Sequence, residues 1–135
     1  MQESLTDQSF SKNERLCSKK TIDAVVEQGD SVYTTLFRAM FLSVPASSSP
    51  FPAQVAFSVP KRGFKHAVAR NLLKRRMREA YRKNKQLLYQ PLSENGKSMA
   101  LIIVYRQNTI AGYDVIEEAV VSLLKKLGES IRKTN

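Results

Sequence analysis

"FSVPKRGFKHAVARNLLKRRMREAYR", Phe57 to Arg82, changes its period in mid-course, and that change decides the fold. Its first residues close the alternating run "AQVAFSV", in which Val55, Phe57 and Val59 share one side of a strand. Pro60 has no N–H to give to a ladder, so pairing ends there and the chain passes into the basic turn "KRGFKH". From Ala67 to about Lys85 there is neither Gly nor Pro, and Ala, Leu, Met, Arg and Lys dominate, which predicts a helix. A strand therefore delivers a basic helix.

On a wheel of about 100° per residue, Arg70, Asn71, Lys74, Arg75, Arg78 and Arg82 fall within an arc of about 140°. Ala69, Leu72, Leu73, Met77 and Ala80 occupy most of the other half. Solvated helix faces commonly pair Glu with Lys at i, i+4, whereas here like charges recur at Arg70, Lys74, Arg78 and Arg82. A row that repels itself in the free protein is suited to an anionic partner. Arginine outnumbers lysine in the row, and its planar fork reaches two phosphate oxygens or stacks on a base. Asn71 adds a short group that both donates and accepts. Lys61, Arg62, Lys65 and His66 lie on the turn feeding the helix N-terminus, where backbone N–H groups also favour anions.

The formal net charge of +10 has the same origin. Residues 61–85 hold eleven Lys and Arg against one acid, Glu79, and the other 110 residues balance eleven bases with eleven acids. Positive charge so concentrated attracts polyanions. No apolar run reaches 18 residues and the basic helix has no Trp or Phe opposite its charge, so no membrane partner is expected. The polar N-terminus has no signal-peptide core, so a cytoplasmic protein is expected. The lone Cys17 excludes an intramolecular disulfide and, with a single His, excludes Cys/His zinc clusters. A helix-turn-helix would need a second helix where Pro60, Gly63 and the strand stand, so RNA rather than DNA is the expected nucleic acid. The aromatic strand motif of the common single-strand RNA module is absent.

Outward from this segment, residues 1–11 read as a tail and 12–135 as one domain. Ser18 caps a short helix in which Ile22, Val25 and Val26 share a face and Gly29 gives the stop. Ser31 to Val44 reads as strand, bent near Thr35, and "PASSSPFP" as a loop of hairpin-compatible length. Residues 86–98, ending in "QPLSENGKS", read as a loop, and "MALIIVYRQ" as a central buried strand. Asp114 and Glu117 form a D-x-x-E cap before a helix whose stripe of Val120, Leu123, Leu124 and Leu127 ends near Gly128. Helix, strands, helix, strand and helix in that order predict an α+β protein: a two-layer α/β sandwich on a small mixed sheet.

The run from Phe57 to Arg82 resembles the signature of the bacterial ribonuclease P protein subunit, with Lys61, Arg62, Arg70, Asn71, Lys74, Arg75, Arg78 and Glu79 matching its pattern. "KNERLCSKKTIDAVVEQG" is similar to the family's opening segment, and "ALIIVYRQ" with the following helix to its close. The resemblance implies a fold like the second domain of ribosomal protein S5, a mixed four-stranded sheet with a left-handed β-α-β crossover. It also implies ribonuclease P RNA and precursor tRNA as partners. In this family the RNA, with bound Mg2+, carries the chemistry of removing the 5′ leader, so no residue of this chain is expected to be catalytic. The leader would lie between the first helix and the sheet.

The sequence departs from the family at three places. The third motif position, normally Arg, is Leu72, and Arg76 one turn later is the candidate to supply that guanidinium to the RNA. Where relatives place aromatics on the first helix, this chain has Ile22 and Val26, so leader contacts would fall to shape, to Met40, or to Phe37, Phe41 or Phe57 if they face the cleft. The segment 86–98 is longer than usual. The alternatives are a non-enzymatic RNA-binding protein of the same fold, such as a ribosomal component or an RNA chaperone, and then a helix-in-groove DNA binder. Five phosphate contacts on the helix predict a log–log salt slope of roughly −3.5 to −4.5.

Overall fold

The computed structural model describes residues 9–46 and 49–133. Helix α1 (Lys19–Gln28) starts where the Ser18 hydroxyl accepts from the Thr21 N–H at 3.3 Å. It ends at Gly29, whose backbone passes so close to strand β2 that a Cβ would lie 2.7 Å from the Phe41 carbonyl oxygen. Strands β1 (Asp30–Tyr33) and β2 (Phe37–Val44) pair antiparallel, and the bend expected near Thr35 is their hairpin turn. Thr34 closes it, its N–H donating to the Phe37 carbonyl at 2.8 Å.

Strand β3 (Ala53–Ser58) leads through Pro60 into α2 (Ala67–Asn84), and β4 (Ser98–Tyr105) precedes α4 (Tyr113–Lys133). The sheet order is β1-β2-β4-β3, with only β3 and β4 parallel. The loop after β2 is therefore no hairpin connection. β4, apolar on both faces, takes the centre between β2 and β3, where both its sides are covered. The expected α+β sandwich on a mixed four-stranded sheet is what the chain forms.

The segment read as a loop holds a further helix, α3 (Gln86–Glu94). Pro91 hid it: proline inside a helix removes one N–H and ordinarily breaks the turn. Here the carbonyl of Leu87, which would have bonded that N–H, packs on α4 at Gly128, where a Cβ would sit 3.0 Å from both the Leu87 oxygen and Pro91 Cγ. Gly128 is accordingly no stop. It is a buried contact point, and α4 runs past it to bury Ile131. Gly128→Val should destabilise by about 1–3 kcal/mol through overpacking against α3. Gly128→Ala should gain less in urea denaturation than the ~1 kcal/mol of its helix propensity. A full gain would show that α3 does not press on α4.

The D-x-x-E cap is also corrected. α4 begins at Tyr113, so Asp114 lies inside the first turn, and Glu117 accepts from the Asn84 side chain at 3.1 Å, tying α4 to the end of α2.

Two cores flank the sheet. Beneath α2, α3 and α4 lie Phe37, Val55, Leu73, Met77, Tyr81, Leu101, Ile103, Val120 and Leu124 with their neighbours. Beneath α1 lies a smaller cluster of Leu16, Val25, Met40, Ala100 and Ile102. Of the expected tail, residues 1–8 lie outside the described residues, and Ser9 to Ser11 are held on the domain. The Phe10 ring packs edge-on against Phe57 and Tyr81 at 6.1 and 5.8 Å, and the Lys85 ammonium donates to the Ser9 carbonyl.

That ammonium sits in a buried polar knot. Lys85 Nζ is 2.5 Å from Glu14 Oε2, both side chains almost wholly out of water. Tyr89 donates its hydroxyl to the same oxygen, and Ser11 donates N–H and Oγ–H to Oε1. Burial, and then the neighbouring Tyr81 hydroxyl and the Glu14 carboxylate, hold the Tyr89 phenol far above its ordinary pKa of 10.0. The knot pins the N-terminal segment to the α2–α3 junction, beside the main-chain bond from the Leu16 N–H to the Val55 carbonyl.

Candidate RNA interface

The basic helix presents its charges much as the wheel predicts, but rotated. Leu73, Met77, Ala80 and Tyr81 form its buried face, and on the wheel Tyr81 lies at about 20°, between Arg70 and Lys74. Those two cations therefore flank the core, while Asn71, Arg75 and Arg78 are exposed. Arg70 is captured: Nη1 donates to the Phe64 and Lys65 carbonyls at 2.7 and 3.0 Å, clamping the turn that carries Lys61, Arg62 and Lys65 against the helix. Those three turn cations are exposed.

Arg82 forms a two-pronged pair with Glu79, Nη2 to Oε2 at 2.7 Å and Nε to Oε1 at 3.0 Å, which lowers the Glu79 pKa and raises that of Arg82. Among the described residues Lys74, Arg75 and Arg78 meet no carboxylate within ion-pair distance. The net-positive ridge of α2 thus narrows to these three with Asn71, continued by the turn.

Arg76 stands elsewhere. It lies half-buried on the side facing α4, and its Nη1 donates to the Ala111 carbonyl at 2.7 Å, just ahead of α4. The guanidinium expected to replace the one missing at Leu72 is engaged in holding the β4–α4 loop. Arg76→Ala should lower stability by about 1 kcal/mol, the net worth of one such bond, and leave the salt slope of RNA binding unchanged. A slope shallower by about 0.7–0.9 would return Arg76 to the interface.

The expected leader cleft divides between the two faces of the sheet. Phe37, Phe41 and Phe57 point into the core beneath α2 to α4, so none of them faces α1; this corrects their assignment. Met40 and Ile22 do pack on the α1 side, and Val26 is 57% exposed on α1 itself. Helix α1 lies across β2 and β4 and leaves Ala56 and Ser58 of β3 partly open. Past its end the same face opens into a groove of about 580 Å³ floored by Val104 and walled by Arg38, Arg62 and Arg106. A Cβ on Gly63 would lie 3.6 Å from Gln107 and Asn108, and Arg62 and Gly63 line the groove, so the turn that feeds α2 also forms one of its walls. Ridge and groove are one continuous surface.

Sequence reasoning missed Arg38 and Arg106 as wall residues. Both were visible as cations at strand positions next to apolar neighbours, but only the register Arg38↔Val104 sets them beside each other.

Solved structures of similar fold are ribonuclease P proteins. One from Thermotoga maritima superposes with a TM-score of 0.67 at 21% identity, covering 84% of this chain and 96% of that one. A mutant of the Staphylococcus aureus protein superposes at 0.68 and 21%, covering 92% of each. The fold is therefore that of these proteins.

The family model for ribonuclease P matches residues 10–128. A ribonuclease P protein component from Chlorobium phaeobacteroides is 32% identical over 88% of each chain, and one from Porphyromonas gingivalis is 27% identical, covering 90% of this chain and 88% of its own. The chain belongs to the ribonuclease P protein family, the protein components of the ribonucleoprotein that matures tRNA 5′ ends, and its partner is ribonuclease P RNA.

Proposed function

We propose that Lys74, Arg75, Arg78 and Asn71, with Lys61, Arg62 and Lys65, dock the chain on ribonuclease P RNA, while the groove beside α1 holds the single-stranded 5′ leader of precursor tRNA. The observation that carries this reading is the continuity of the two surfaces: Arg62 belongs to both the turn that starts α2 and the groove wall. An RNA lying along the ridge brings a leader emerging beside it directly onto the sheet. Among the described residues no three His, Cys, Asp or Glu side chains gather as a metal site, and His66 is the single histidine. In this reading the residues of this chain bind and orient the RNA, and Mg2+ held mainly by the RNA subunit would supply the activation of water. This reading puts the complex in the cytoplasm, where precursor tRNA is made. Among the described residues no helix is long and apolar enough to cross a membrane.

Reconstitution tests this directly. Added to a bacterial ribonuclease P RNA at low Mg2+, the chain should restore leader removal. RNA binding without stimulation would instead support a ribosomal-type or chaperone role, and preference for duplex DNA would remove both.

A further inference from the structure

Ten of the eleven aromatic rings of this chain belong to the core beneath α2, α3 and α4. The eleventh, Tyr33, is 54% exposed at the end of the edge strand β1. Its partner in the ladder is Arg38, and residues directly opposite in an antiparallel pair share a face, so Tyr33 lies on the α1 side with Arg38 and Val104. No other ring is available there to stack on a base.

Tyr33 is also held in place. The Arg38 guanidinium lies 5.5 Å and the Arg106 guanidinium 5.1 Å from its ring centroid, both within cation–π range. Arg106 is fixed in turn, its Nη1 donating to the Thr34 carbonyl and its main-chain N–H to the Leu36 carbonyl at 2.8 Å. Gln107 donates to the Thr35 carbonyl at 2.6 Å, so the β1–β2 turn is fastened to the end of β4 from two residues. Among the described residues Arg38 makes one side-chain hydrogen bond, a long 3.5 Å contact to Ser31, and its Nε is buried with no hydrogen-bond partner. Two planar cations that wall the groove and one ring beside them thus form a prearranged surface, one that leaves a buried donor unmet.

We propose that Tyr33, Arg38 and Arg106 form a nucleotide subsite for single-stranded RNA, the ring and guanidinium planes stacking on a base and the cations meeting its phosphate. The site takes any base, since stacking reads the π-face and not the edge. It supplies on the sheet edge the aromatic contact that Ile22 and Val26 cannot supply on α1. The subsite rests on the leader reading above and gives that reading its stacking residue.

The test uses the holoenzyme reconstituted with ribonuclease P RNA and precursor tRNAs carrying either a one-nucleotide leader or a long single-stranded one. Tyr33→Leu should weaken long-leader binding by roughly five- to hundredfold, the range for loss of one base–aromatic stack, with a much smaller loss for the short leader. Tyr33→Phe should restore it, and affinity for ribonuclease P RNA alone should stay within about twofold, because the α2 ridge is elsewhere. With 2-aminopurine placed along the leader, wild type and Tyr33→Phe should quench one position that Tyr33→Leu leaves bright. If wild type distinguishes long from short leaders but Tyr33→Leu does so equally, or no quenching depends on the ring, the subsite is wrong and the leader reading stands. If wild type itself ignores leader length, the leader reading fails first.

Discussion

Replacing Arg75 and Arg78 together by alanine should weaken binding to ribonuclease P RNA at least about a hundredfold, taking about 1.5 kcal/mol as the lower value for each charged hydrogen bond lost. The log–log salt slope should also become shallower by roughly 1.4–1.8, two phosphates' worth. Both side chains are exposed and meet no carboxylate among the described residues, so their loss removes no ion pair there. Folding stability should hold or rise by a few tenths of a kcal/mol, since Arg78 repels Lys74 one turn away. The combination is diagnostic: large in affinity, null in stability. A change in affinity with no change in slope would mean that these arginines act through shape, and the ridge would lose its electrostatic meaning.

Lys85→Met should have the opposite signature. It strands the Glu14 carboxylate at the centre of the domain with Tyr89 and Ser11 as its remaining donors, and breaking a buried pair in this way costs about 3–5 kcal/mol. That is a large share of the ~5–15 kcal/mol holding a typical domain, so the urea midpoint should fall steeply. Replacing both partners, Glu14→Leu with Lys85→Met, should recover much of the loss, because an apolar pair leaves no charge unsolvated. Urea denaturation of the two single variants and the double variant checks this. A Lys85→Met variant within about 1 kcal/mol of wild type would mean the knot is open to water.

These two lysine and arginine outcomes differ for a reason the sequence does not display. Arg78 and Lys85 look alike as cations of one basic run, yet Lys85 has its partner 71 residues away in a 3-10 turn (Lys12–Glu14). Pattern reads neighbours at i, i+3 and i+4, so α1, the basic helix and the buried β4 were all legible from Ser18, from the absence of Gly and Pro, and from an unbroken apolar run. It does not read a pairing across the fold.

Alternation shows that Phe37, Ala39 and Phe41 share a side without saying whether that side meets α1 or the other three helices. The phenylalanines could serve the cleft only from the α1 side, and the fold turns them to the other. Pro91 and Gly128 failed in a related way: each breaks a helix by its own propensity, and each is tolerated because it meets the other across α3 and α4. The groove was legible only in part. Lys61 and Arg62 announce themselves beside Pro60, whereas Tyr33, Arg38 and Arg106 come from three separate segments and meet only through strand register.

The most direct test of a ridge left unneutralised until RNA binds is the salt dependence of wild-type binding to ribonuclease P RNA, titrated from about 50 to 200 mM monovalent salt. With Lys61, Arg62, Lys65, Lys74, Arg75 and Arg78 each meeting a phosphate, the account predicts a linear log–log plot with a slope of roughly −4 to −5.5. A slope near zero with affinity intact would contradict it.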